Sequence, residues 1–94
     1  MGVLNTMFSK PCVVVNQVGL YAKSATSFVQ KANEFKSTIW VEKDERRVNA
    51  KSLLGILSMG LSCNAEMNII AEGKDEQEAV QALCDLVASG FVEK

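Results

Sequence analysis

Val13-Val14-Val15-Asn16-Gln17-Val18-Gly19-Leu20-Tyr21-Ala22-Lys23-Ser24-Ala25 changes its periodicity halfway along. Its first part belongs to a β-branched run, Cys12 to Asn16, preceded by Pro11. Such a run predicts a strand with an edge-like start, since proline cannot donate to a ladder. Gln17 to Leu20, with Gly19, predicts a loop. From Ala22 to Asn33 the apolar residues Ala25, Phe28, Val29 and Ala32 recur at helical spacing and predict one buried face, with Phe35 covering its end.

The same alternation of element types continues toward the C-terminus. Thr38 to Lys43 alternates, with Ile39 and Val41 facing one way and Trp40 the other. Asp44-Glu45-Arg46 predicts a charged turn and Arg47 to Ala50 a returning strand; Trp40 and the charges of this hairpin, Arg47 included, are expected at its surface. Ser52 precedes Leu53, Leu54, Ile56 and Leu57, which predicts a short helix over 52–58 capped by a serine. Gly60 to Asn64 follows as a loop, and Glu66 to Glu72 as a strand with Met67, Ile69 and Ala71 on one side. Asp75-Glu76-Gln77-Glu78 resembles a capping box opening a helix over 75–89. That helix puts Ala79, Ala82, Leu83, Leu86 and Val87 on one face and stops at Gly90, with Phe91 set for the apolar contact of a glycine cap. The order is βαββαβα, and the economical packing is an α+β sandwich: a four-stranded, mainly antiparallel sheet with three helices on one face.

Ninety-four residues make one domain, 48% hydrophobic and 22% charged, as in ordinary globular chains. A net charge of −1 gives no field for steering to nucleic acid, and no apolar run approaches membrane-spanning length, so neither nucleic acid nor membrane is an expected partner. The chain has no histidine, which excludes a Ser-His or Cys-His nucleophile. Cys12, Cys63 and Cys84 lack CxxC spacing, so no metal site and no cofactor is expected; they read as buried, reduced thiols of a cytoplasmic protein. Met1 to Thr6 fits a myristoylation pattern but is expected to be a ragged extension, as is the whole of 1–8, without the basic region of a secretory signal.

The opening stretch resembles the active-site segment of HPr, the small phosphocarrier of the bacterial sugar phosphotransferase system. That family reads Gly-[Ile/Leu]-His-Ala-Arg-Pro-Ala there, and the histidine carries the phosphoryl group. Here Tyr21 stands in the histidine's place, Lys23 in the arginine's and Ser24 in the proline's. A second stretch, Val48-Asn49-Ala50-Lys51-Ser52-Leu53-Leu54-Gly55-Ile56-Leu57-Ser58-Met59-Gly60, is similar to the regulatory segment of HPr from Gram-positive bacteria. Glu72-Gly73-Lys74-Asp75-Glu76 and Gly90-Phe91 also match. The resemblance runs from about Val13 to the C-terminus and implies the open-faced sandwich already expected from the element order.

It also implies roles. A dedicated HPr kinase/phosphorylase phosphorylates the serine matching Ser52, and the phosphoserine protein binds a catabolite-control repressor. Residues matching Leu53, Leu54 and Leu57 help dock partners, although by pattern alone two of the three belong to a core. As a bare side chain, Ser52 is a helix cap worth about 1 kcal/mol; as a phosphoserine it would sit at the positive end of the helix, with Lys51 adding a cation. Tyr21, Ala22 and Lys23 are candidates for phosphate or partner contact. A phenol is a poor nucleophile without a base, so Tyr21 reads as exposed aromatic surface rather than as a carrier. Lys23 keeps a charge but lacks the bidentate fork of arginine, which in the family contributes to the repressor contact.

The combination looks like Crh, the HPr paralogues that lack the histidine and keep the regulatory serine, although those usually carry glutamine where Tyr21 stands. The implied role is that of a substrate and binding partner, not an enzyme. Two other readings are a decoy that binds phosphotransferase-system proteins without accepting phosphate, and a carrier using another acceptor.

Overall fold

The computed structural model describes residues 7–17 and 19–91. The expected extension Met1 to Thr6 lies outside the described residues, as does Val18 of the loop. The elements are β1 (Phe8–Val13), α1 (Lys23–Ala32), β2 (Thr38–Lys43), β3 (Arg46–Asn49), α2 (Leu53–Ser58), β4 (Glu66–Glu72) and α3 (Glu76–Ala88). The expected order βαββαβα is the observed one. The strands form one antiparallel sheet in the order β1-β4-β2-β3.

Alternation along the strands decides which face is covered. Cys12, Ile39, Val41, Met67, Ile69 and Ala71 point into one core with Phe28 and Ala32 of α1, Ile56 of α2, and Val80 and Leu83 of α3. Full burial of Phe28 alone contributes roughly 1.5–3 kcal/mol. Ile70 is buried too, but outside that core cluster: its register partners are Ser9 and Trp40, on the other face.

β2 and β4 have the expected bounds, β3 spans Arg46–Asn49 rather than Arg47 to Ala50, and further expectations need correction. The first strand begins upstream of Pro11 and leaves the sheet after Val13, because β4, its partner, begins at Glu66. Val14 instead exchanges hydrogen bonds with Ala65 and Asn64 in the loop before β4. Proline is tolerated inside β1 because this is an edge strand. In α3 the buried face uses Val80 rather than Ala82, which is only half-buried.

Asp75 stands at the N-cap of α3 but makes no side-chain cap bond. Its carboxylate accepts instead from Lys36 N and Ser37 N, each at 2.9 Å, and from the Ser37 hydroxyl. Glu76, not Glu78, reaches back, its Oε1 accepting from Gly73 N at 3.0 Å. A long-range set of donors outcompetes the local box.

The cysteines are not all free thiols: Cys12 and Cys84 are joined in a disulfide, and Cys63 is free. Nothing in their spacing announced a pair 72 residues apart, because only the docking of α3 on β1 brings the two together.

The C-terminal cap of α3 is as expected. Gly90 N donates to Val87 O and Phe91 N to Leu86 O, both at 3.0 Å, with Gly90 at φ +73°. This is the paired bonding of a Schellman cap, and it turns Phe91 back onto the core.

Candidate functional site

The loop from Asn16 to Tyr21 is built on one carbonyl. Gly19 O accepts from the Ser24 hydroxyl at 2.6 Å, from Asn16 Nδ2 at 2.8 Å and from Tyr21 N at 3.1 Å. Gly19 has φ +72°, and a Cβ there would stand 2.3 Å from Leu61 O. Only glycine fits a left-handed position pressed so closely on another backbone. Leu20 N donates to that same Leu61 O at 2.7 Å, tying the loop to the segment after α2.

Ser24 is buried and works at both ends of the turn. Its hydroxyl donates to Gly19 O, accepts from Tyr21 N at 3.2 Å, and its backbone N–H donates to Tyr21 O at 3.2 Å. Hydrogen bonds thus hold the segment around Tyr21. Ala22, the N-cap of α1, adopts φ 50° and ψ −111°. For a residue with a Cβ this costs on the order of 1–3 kcal/mol and persists only where the surroundings impose it.

Tyr21, 69% exposed, stands at the rim of an open depression of about 500 Å³. Asn16, Ala22, Lys23, Ser24, Ser27, Gly90 and Phe91 complete its lining. The first turn of α1 holds no acidic residue, and Lys23 is exposed beside it. A helix N-terminus with an exposed cation suits an anion electrostatically. Among the described lining residues, however, only Tyr21 and Lys23 are ionisable, and none is a histidine or a carboxylate that would act as a base for the phenol. The depression thus presents an exposed phenol and an exposed ammonium side by side.

The second candidate region lies at the other end of the α1–α2 pair. Ser52 is the N-cap of α2 at φ −105° and ψ 115°, its hydroxyl accepting from Gly55 N at 3.1 Å. Beside it Leu54 is 80% exposed and Leu53 39%, while Leu57 is half-buried against the core. The expectation that two of these three leucines are core is therefore corrected. Ile56 fills that role, because a helix of six residues presents one buried position per turn to α1 and β3.

Lys51 is also placed differently from expectation. Its ammonium donates to Phe35 O at 2.7 Å, tying the entry of α2 to the exit of α1. Arg46, expected as plain hairpin surface, donates to Ser58 O at 3.1 Å and Ser58 Oγ at 3.2 Å, a basic group closing the C-terminus of α2. Arg47 lies 5.7 Å from the centre of the half-buried Trp40 ring.

Sequence reasoning missed the structural part of Ser24, whose hydrogen bonds depend on where Gly19 O points, and the disulfide. Among the described residues no group of three or more His, Cys, Asp or Glu is placed to hold a metal ion. No described helix is long and apolar enough to cross a membrane.

Comparison with known proteins agrees with this geometry. The family described as PTS HPr component phosphorylation site matches residues 8–89. The HPr-like protein Crh of Halalkalibacterium halodurans is 43% identical over 88 residues, covering 94% of this chain and 99% of that protein. The HPr-like protein Crh of Bacillus subtilis is 46% identical over 71 residues, covering 76% of this chain and 84% of its own. The crystal structure of HPr-C-His from Thermoanaerobacter tengcongensis superposes with a TM-score of 0.89 at 47% identity, covering 93% of this chain and 98% of that one. A chain with this sheet, this Gly19–Ser24 loop and this Ser52 cap belongs to the HPr family, as a member of the Crh type.

Proposed function

We propose that this protein is a regulator of carbon catabolite repression that has given up phosphoryl carriage. Ser52 is its modification site, an HPr kinase/phosphorylase-like enzyme modifies it, and the modified form binds a catabolite-control repressor in the cytoplasm. It acts as a substrate and a binding partner, not as an enzyme. The observation that carries this reading is the setting of Ser52: a cap hydroxyl at a helix entry with the exposed Leu53 and Leu54 directly after it. Phosphorylation adds about −1.5 to −2 charges and three acceptor oxygens. Placed there, they form a charged spot against an apolar one, which is a specific surface for a partner. The curated relatives described as HPr-like protein Crh support the same role.

The intact depression at Tyr21 favours a second reading. A surface shaped like a carrier's active site, with exposed Tyr21 and Lys23, would engage phosphotransferase-system proteins without accepting phosphate from them. A phosphocarrier with Tyr21 as acceptor lacks an activating base among the lining residues.

Two measurements separate these readings. Repressor affinity is measured for the protein with and without kinase treatment, and for Ser52→Ala; a treated protein that binds no better than the variant overturns the regulatory reading and leaves the decoy. Incubation with enolpyruvate phosphate and the general kinase of the system, followed by intact mass, is expected to show no phosphate gained. Tyr21→His is expected to give slow labelling and Tyr21→His with Lys23→Arg roughly tenfold more, since the arginine fork holds a phosphoryl group bidentately. Robust labelling of the unaltered protein would establish a carrier instead.

A further inference from the structure

We propose that Cys12 and Cys84 form a redox modification site, a dithiol that low-molecular-weight disulfides close and free thiols reopen, and that its closure stiffens the Tyr21 depression. The inference rests on the fold alone and stands whether or not Ser52 is modified.

The pair is built for intramolecular closure. The two Cα atoms lie 6.0 Å apart, inside the range that a disulfide spans without backbone movement. Cys12 is buried on the inner side of β1, and Cys84 is half-buried on α3. Both line an open groove between strand and helix, with Pro11, Val13, Asp85 and Ala88 around them. A small thiol or disulfide reagent therefore reaches Cys84 first. The alignment does not depend on the sulfur bond. Lys10 Nζ donates to Gln81 Oε1 at 2.8 Å, and Gln81 Nε2 donates to Asp85 Oδ1 at 2.8 Å. This polar chain clasps β1 to α3 one turn from Cys84, and the β1–β4 ladder holds Cys12 from the other side. Opening the bond leaves two thiols still facing each other.

The chemistry balances with a disulfide as oxidant. The Cys84 thiolate attacks one sulfur of RSSR, forms a mixed disulfide and releases one RS⁻. The Cys12 thiolate then attacks the Cys84 sulfur, closes the intramolecular bond and releases the second RS⁻. Two protein thiols lose two protons and two electrons, and one RSSR becomes two RSH. Where thiols are kept reduced, such a pair reports oxidation rather than staying closed.

The consequence reaches the depression because both partners lead into it. β1 runs on through Val14 and Val15 to Asn16, and α3 runs on to Gly90 and Phe91; Asn16, Gly90 and Phe91 are walls of the Tyr21 depression. The two arms also meet, since a Cβ at Gly90 would stand 3.8 Å from Val15 Cγ2. A covalent bond between Cys12 and Cys84 fixes the base of both arms at once.

The full chain is reduced, exposed to graded ratios of oxidised to reduced glutathione, quenched with N-ethylmaleimide in denaturant and weighed intact. The reduced protein is expected to take up three maleimides, one for each cysteine, and the oxidised protein one, mapped to Cys63. The oxidised form is expected to melt roughly 10 °C or more above the reduced form, because a long loop is closed in the unfolded chain. That gap is expected to vanish in Cys84→Ser and to persist in Cys63→Ser. Amide exchange at Asn16, Gln17, Gly19 to Ala22, Gly90 and Phe91 is expected to slow on oxidation of the parent chain and not of Cys84→Ser. Should Cys12→Ser fail to fold, the half-buried Cys84→Ser keeps the test intact. Three maleimides taken up at every ratio, a bond to Cys63, or a bond only between two chains overturns the redox site. Unchanged exchange in the oxidised parent overturns the link to the depression.

Discussion

The Tyr21 loop and the entry of α2 solve opposite problems. At Tyr21 the backbone is held by groups other than the exposed side chain at its tip: Gly19 pressed on Leu61, Asn16 and Ser24 sharing one carbonyl, and a strained Ala22. Because Gly19, Asn16 and Ser24 hold that backbone, these bonds do not depend on which side chain stands at the tip. At α2 the side chain that holds the helix entry, Ser52, is itself the candidate for modification. The structural groups and the candidate functional side chain are separate in the first region and one and the same in the second.

The largest effect is expected from breaking the first region at its base. Gly19→Val puts a branched side chain at φ +72° against Leu61 O and is expected to cost about 3–5 kcal/mol, read by urea denaturation. A cost below about 1 kcal/mol would mean that the loop yields and that its shape is not imposed by the scaffold.

Ser24→Ala removes the hydroxyl shared between Gly19 O and Tyr21 N and is expected to cost about 1–2 kcal/mol. It is also expected to raise amide exchange at Tyr21 while leaving α2 unchanged. Equal loosening at both regions would show that they are one unit rather than two.

Ser52→Ala is expected to cost about 1 kcal/mol, the usual worth of a serine cap, and to abolish kinase-dependent repressor binding. Ser52→Asp restores the cap but mimics the phosphate poorly, because a carboxylate has fewer oxygens and less charge. Full repressor binding by Ser52→Asp would shift the weight from phosphate geometry to charge alone.

The smallest effect concerns acid. The Ser37 hydroxyl, and then the Lys36 backbone N–H, hold the Asp75 carboxyl down at about 2 against an ordinary 3.8. A group depressed in the folded state contributes stability above its unfolded value. That contribution is lost as pH falls from about 4 toward 2. Asp75 pins Lys36 and Ser37, next to the Phe35 carbonyl that Lys51 holds, so acid is expected to loosen the Ser52 end before the Tyr21 end. Proton-dependent exchange at the two ends, compared with Asp75→Asn, reads this; identical profiles in both proteins would remove Asp75 from the account.

The sequence by itself determined whatever depends on neighbours a few residues apart. The alternation in Thr38 to Lys43 and Glu66 to Glu72, the serine cap of α2, the Gly90–Phe91 cap and the element order are all local, since strand period, helix period and end-capping act within about four residues. Both candidate regions were visible for the same reason, as short contiguous stretches. Tertiary structure alone decided what depends on residues brought together from afar. It ended β1 at Val13, where β4 has no further residue to pair. It buried Ile56 and left Leu54 in the open, turned Asp75 from its own helix to Ser37, and sent Lys51 to Phe35. It also joined Cys12 to Cys84. Each of these choices sets a local partner against a distant one, and the distant one wins only where packing has already carried it into reach.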